Sequence, residues 1–197
     1  MASSVSWILV VSSALLAASS YYYSHRINVP SIPTTTTTHL HFYMHDVYTG
    51  PHPTAALIVA GRDNNKDNAT PGEKDNNPRR FGDIAVMNNV LTEGPEPGSA
   101  RVGKAQGFTV RVAEGGTVNA LSLHLVLETG EYAGSSLAVQ GRVDTDTAVR
   151  ESVIVGGTGR FRLARGYAHS RSYDYDVATG GVVEIDVYLQ LLLDLGA

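Results

Sequence analysis

The sequence predicts an all-β protein, an antiparallel meander of short strands closed into a barrel. Three observations carry this. Apolar residues recur at period two in segment after segment, no stretch has a helical period, and turn-forming residues separate the runs at short spacing. A meander this long removes its open edges most simply by closing. About eight strands enclose a space that side chains fill or that holds one small ligand.

Composition narrows the class. The 197 residues suit one domain with a real core. Hydrophobic residues make up 43% and charged residues 17%, the balance of a chain that folds. Lys and Arg total 15 against 19 Asp and Glu, so no basic face is expected to replace the counterions of a nucleic acid. The chain has no cysteine, which excludes disulfides, thiolate zinc sites, iron–sulfur clusters and a cysteine nucleophile.

Taken in order, residues 1–20 read as a secretory signal. The apolar run at 7–18 is shorter than the roughly 20 residues a membrane span needs, and small residues follow it. Residues 21–38, with two prolines and five consecutive threonines, read as a disordered lead-in. The barrel domain is placed at 39–197. Its first strand, 39–48, sets Leu40, Phe42, Met44, Asp46 and Tyr48 on one face. Residues 55–61 are a short apolar strand. Residues 62–80 are a polar loop of nearly cancelling charge, carrying the sequon Asn68-Ala69-Thr70 with Pro71 after it; Asn68 is the candidate glycosylation site. Strands follow at 81–91, 102–112, 117–127, 136–143 and 148–155. Residues 161–173 have two unlike faces. Phe161, Leu163, Arg165, Tyr167, His169 and Arg171 lie on one, with Arg162, Ala164, Gly166, Ala168 and Ser170 on the other. A last strand, 182–193, aligns Val183, Ile185, Val187, Leu189 and Leu191.

Five ordered blocks carry a family resemblance. They are His41-Phe42-Tyr43-Met44-His45-Asp46; Leu91-Thr92-Glu93-Gly94-Pro95 with Ser99 and Val102-Gly103-Lys104-Ala105-Gln106-Gly107; Gly134-Ser135-Ser136-Leu137 with Gly141-Arg142; Gly156-Gly157-Thr158-Gly159-Arg160-Phe161; and Ala164-Arg165-Gly166-Tyr167. Together they resemble the plant dirigent proteins. The resemblance implies an eight-stranded antiparallel up-and-down barrel, allene oxide cyclase-like, in a homo-oligomer (dimer or trimer) secreted to the apoplast and cell wall. It also implies a role without redox power or cofactor. A separate laccase or peroxidase makes phenoxy radicals from monolignols, and the pocket directs their coupling in lignan-type phenylpropanoid biosynthesis or plant defence. Some members instead act as cyclases or dehydratases on quinone-methide-type intermediates. Two positions depart from lignan-forming members: Phe108-Thr109 follows the AQG run where those members carry tyrosines, and Arg160 stands where they often carry an acid.

Asp46 stands out without the family. A carboxylate on an apolar strand face is disfavoured in its charged form unless it finds a partner. It is the candidate general acid for a quinone-methide carbonyl; the alternative is a capped rim residue. Arg165, between Leu163 and Tyr167, needs an acceptor, and the resemblance makes it a pocket residue; the alternative is an outward ion pair. Phe42, Met44, Phe108 and Tyr167 are candidate pocket walls. Arg150, Arg160, Arg162 and Arg171 read as solvated surface, and His124 as a core histidine. His39, His41 and His45 share a strand face, but a strand spreads three such residues apart, so no metal is expected. Two further functions stay open: a non-catalytic barrel that holds a phenolic or saccharide ligand in defence, and a cofactor-free cyclase.

Overall fold

Period-two alternation becomes nine strands in the computed structural model, which describes residues 2–26, 35–62, 80–176 and 178–192. They are β1 (Thr35–Val47), β2 (Ala55–Val59), β3 (Ile84–Thr92), β4 (Arg101–Arg111), β5 (Val118–Leu127), β6 (Ser136–Asp144), β7 (Arg150–Thr158), β8 (Arg165–Asp176) and β9 (Gly180–Leu192). From β3 to β9 each strand pairs antiparallel with the next, and β1 lies against β9. The circuit closes where β1 returns to β3 through Tyr43–Thr92, Met44–Leu91 and His45–Val90. Eight strands therefore form a closed antiparallel barrel. β2 is a short ninth strand that takes over from β1 along β3, pairing Ala55 with Met87 and Ala56 with Val86.

Small departures from the expected boundaries have local causes. Thr35 pairs with Leu192 and Thr38 with Leu189, so residues 35–38 extend β1 instead of forming a lead-in. β-branched threonines suit a strand once a partner edge is offered. At the other long strand, residues 159–161 form a 3₁₀ turn before β8 begins. Phe161 is thereby turned into the core and stacks on Tyr132 with ring centroids 4.9 Å apart. Arg62 and Phe81 bridge the base of the expected loop. Residues 63–79, with Asn68, lie outside the described residues.

Residues Met1–Pro33 form a unit separate from Thr34–Ala197. Within it, Ala2–Arg26 is an α-helix (α1), where the sequence reading placed no helical period. Among the described residues no helix is long and apolar enough to cross a membrane.

The barrel interior is divided along its length. One end is packed solid by Leu91, Leu125, Leu137, Ile154, Phe161 and Val187, all less than 2% exposed. Phe161→Ala removes a ring from a site that cannot collapse onto it. The expected loss is about 3–5 kcal/mol of stability, read by denaturant unfolding. The other end is hollow.

Candidate functional site

The hollow is a cavity of about 770 Å³, within the range of sites that take drug-sized ligands. It exists because the inward face of β8 is the small one. Ala168, Ser170 and Ser172 point in, with Ala55 and Ala85 from β2 and β3, and leave space that Leu121, Leu123 and Ile185 wall in. The large face of β8 therefore points out. That places Arg165 and Tyr167 outside the cavity, and Phe108 of β4 is outside it as well. Arg165 is exposed, and its Nη1 donates to the Val155 carbonyl at 2.7 Å, at the bulge in β7. Tyr167 is 41% exposed and stacks on Tyr188. Phe108, 45% exposed, also faces outward, from β4. Phe42 points in but belongs to the solid core and not to the cavity wall. Met44 and Asp46 line the cavity.

Asp46 is 6% exposed. Its Oδ2 accepts a 2.8 Å hydrogen bond from the Tyr175 hydroxyl, while Oδ1 is buried with no hydrogen bond among the described residues. The Tyr175 proton is committed to Asp46, so the short contact between the Tyr48 and Tyr175 hydroxyls has Tyr48 as donor. The result is a relay from the cavity mouth inward: Tyr48, Tyr175, Asp46. Burial, then the neighbouring Asp46 and Tyr48, pushes the Tyr175 phenol well above its ordinary value. A raised phenol stabilises the fold fully below the unfolded value near ~10. That contribution fades only as pH climbs through the higher folded value. Tyr175 thus remains a donor at physiological pH.

Gly181 allows this pair to meet. It is the Cα partner of Asp46 on one side and of Tyr175 on the other, so the acid and the phenol flank a residue with no side chain. A Cβ there would lie 2.1 Å from the Asp174 carbonyl oxygen and 2.7 Å from the Tyr175 Cα. Gly181→Ala must therefore push the end of β8 away. It is expected to cut activity about tenfold or more, since displacement of reacting groups by an ångström is costly. Activity equal to the parent would refute this.

Arg150, read from sequence as solvated surface, also lines the cavity. It is 8% exposed and shares the inward face of β7 with Ser152 and Ile154. Its Nη1 donates to Ser172 Oγ at 3.2 Å. Among the described residues no carboxylate lies within ion-pair reach of it. Burial lowers its pKa against an opposing pull from Tyr175, yet a guanidinium remains a cation. Its unused donors are therefore available to an oxygen of a bound molecule that carries or gains negative charge. Two other acids line the wall: Asp146, exposed in the turn between β6 and β7, and Asp83, which is already saturated. Asp83 accepts from the Gly61 and Arg80 amides at 2.8 Å each and pairs with Arg111 Nε at 3.2 Å. That arrangement ties down the rim and leaves Asp46 as the buried carboxyl of the cavity with an oxygen to spare. His124, expected in the core, is exposed on β5.

A barrel packed solid at one end, with an acid–phenol pair and a guanidinium without a carboxylate partner among the described residues in a hollow at the other, defines a class of barrels built to hold a small molecule. Residues 37–190 match the family described as Dirigent-like protein, and the chain belongs to the dirigent protein family. It is 39% identical over 181 residues to Dirigent protein 1 of Arabidopsis thaliana, covering 92% of this chain and 93% of that one. Pterocarpan synthase 1 of Glycine max is 40% identical over 154 residues, 77% of each chain. Among solved structures, the pterocarpan synthase dirigent protein GePTS1 superposes with a TM-score of 0.69 at 34% identity, covering 83% of this chain and 95% of that one.

Proposed function

We propose that the cavity takes a phenolic quinone-methide-type intermediate and directs its ring closure, with Asp46 moving the proton and Arg150 holding the oxygen that gains charge. The observation that carries this reading is the pairing, in one 770 Å³ hollow, of an acid with a free Oδ1 and a cation with no carboxylate partner. In the closure, a substrate hydroxyl adds to the methide carbon and forms a C–O bond. The exocyclic C=C pair moves into the ring, and the quinone carbonyl oxygen becomes a phenolate facing Arg150. The hydroxyl proton goes to Asp46. Where the intermediate forms in the cavity from a benzylic alcohol bound as its phenolate against Arg150, a protonated Asp46 first gives its proton to the departing hydroxyl, which leaves as water, and recovers one from the attacking hydroxyl at closure. The sequence of steps needs no oxidant. Similarity to proteins named pterocarpan synthases supports a cyclase-type activity.

The cavity volume also admits two phenylpropanoid units, which favours a second reading. In it, monolignol radicals from a separate laccase or peroxidase couple in the hollow under the same two groups. About 1.4 kcal/mol between competing geometries suffices for tenfold selectivity in either case. We also propose secretion to the apoplast through residues 1–20, and self-association through the outward apolar side chains Val86, Phe108, Val153 and Val155.

Chiral chromatography separates the readings. The protein is incubated with a phenolic benzylic alcohol bearing an internal hydroxyl, without oxidant, and in parallel with a monolignol and laccase. Enantioselective ring closure in the first incubation is expected. Closure no faster than without protein, with selectivity only in the laccase incubation, would establish the radical reading instead.

A further inference from the structure

The outer wall of the same strands carries a cluster that the cavity chemistry does not use. His39 and His41 are two residues apart on β1 and leave it on one side. Across the seam, His41 has Asp186 of β9 as its Cα partner. The ring nitrogens His39 Nε2 and His41 Nδ1 converge on one atom, Asp186 Oδ1, at 2.9 Å each. Glu184 Oε1 lies 3.9 Å from His41 Nε2. One ligand atom each from His41, Glu184 and Asp186 fall within 4.8 Å of one another. Arg171 takes the far oxygens, Glu184 Oε2 at 3.5 Å and Asp186 Oδ2 at 3.7 Å, and so orients both carboxylates with their near oxygens toward the imidazoles.

This division of labour resembles a ligand shell with an outer partner behind it. Tetrahedral bonds of about 2.0–2.1 Å to nitrogen and oxygen place ligand atoms about 3.3 Å apart. The 2.9 Å separations of Asp186 Oδ1 from His39 Nε2 and His41 Nδ1 need only a few tenths of an ångström of opening, while Glu184, now nearest the other ring nitrogen of His41, joins the shell by turning its carboxylate. Imidazole with carboxylate, and no thiolate, suits zinc and its d-block neighbours. Calcium and magnesium prefer all-oxygen shells. The His39 side chain is 50% exposed, which leaves the approach open to solvent. The spacing set His39, His41 and His45 fails because His45 Nε2 bonds to Thr92 Oγ1 at 2.7 Å, further along the strand. The set is completed across the sheet instead.

We propose that His39, His41, Asp186 and Glu184 form a surface site for one divalent cation of the zinc type on the outer wall of the barrel. The site is independent of the cavity, since β9 alternates: Glu184 and Asp186 point out while Val183 and Ile185 line the hollow.

The test uses the full chain without a polyhistidine tag, stripped with chelator and titrated with zinc chloride by isothermal titration calorimetry. One ion per chain is expected, with a zinc-dependent rise in melting temperature. His39→Ala, His41→Ala and Asp186→Asn should each weaken binding at least about tenfold. His124→Ala, a change at an exposed histidine elsewhere, should not. Cobalt supplies a second readout, with visible ligand-field bands in the parent that are lost in the His39→Ala, His41→Ala double variant. His39 is exposed, so that substitution leaves the fold in place. No zinc uptake, or uptake equal in the parent and the His41→Ala chain, overturns the proposal.

Discussion

Asp46→Asn is expected to keep the barrel and remove the chemistry. The amide has the carboxylate's shape, and its oxygen still accepts from Tyr175, so the 2.8 Å contact survives. It can neither give a proton to a departing hydroxyl nor take one from an attacking hydroxyl. Proton transfer by a positioned side chain accounts for about a hundred- to ten-thousand-fold in rate, and the turnover of a closed-shell substrate should fall by that amount. Product handedness should collapse with it, because the uncatalysed closure in solution is unselective. Circular dichroism and thermal melting should match the parent. Asp83 is saturated by two amides and Arg111, and Asp146, the remaining acid among the lining residues, is exposed in the turn between β6 and β7, so neither replaces the buried Asp46. Unchanged rate and handedness in the Asp46→Asn chain would remove Asp46 from the mechanism.

Asp46 was legible because β1 alternates without interruption: the face that carries Met44 must carry Asp46. Tyr175 was not legible, for a definite reason. The β8–β9 register shifts between Ser172 and Asp174, where β8 holds one extra residue. That bulge reverses the facing of everything after it. Even-numbered Ser170 and Ser172 point inward before it, and odd-numbered Tyr175 points inward after it. Simple alternation puts Tyr175 outside. Arg165 and Tyr167 went wrong differently. Period two defines two faces and does not say which one is the core, and bulky aromatic faces read as interior. A ligand-holding barrel inverts that preference, because a hollow needs small side chains on its inner wall. Arg150 carried a usable signal: it alternates with Ser152 and the core residue Ile154. The nine strands were legible from their own periodicity. The closure pairs residues far apart in sequence: the length of the meander called for it, but no local pattern named β1 and β3 as the strands that meet.

The two arginines offer the second decisive test, because their variants should separate activity from stability in opposite ways. Arg150 is buried with a single hydroxyl partner on its Nη1, and a buried charge so thinly compensated burdens the folded state. Arg150→Met should therefore stabilise the chain, by about 1 kcal/mol, or about 2–4 °C in Tm for a domain of this size. The same variant should lose about a hundred- to thousand-fold in rate, as when a donor to a developing oxyanion is removed. Gain of stability with loss of function is the signature of a group kept for its chemistry. Arg150→Lys keeps the charge without the fork and should recover only part of the rate. Arg165 should behave in reverse. Its guanidinium closes the carbonyl left open by the β7 bulge, so Arg165→Lys should cost about 0.5–1.5 kcal/mol of stability and leave rate and handedness alone. An Arg150→Met chain that is both fully active and less stable would show that the guanidinium braces the wall of the cavity and does not serve what binds there.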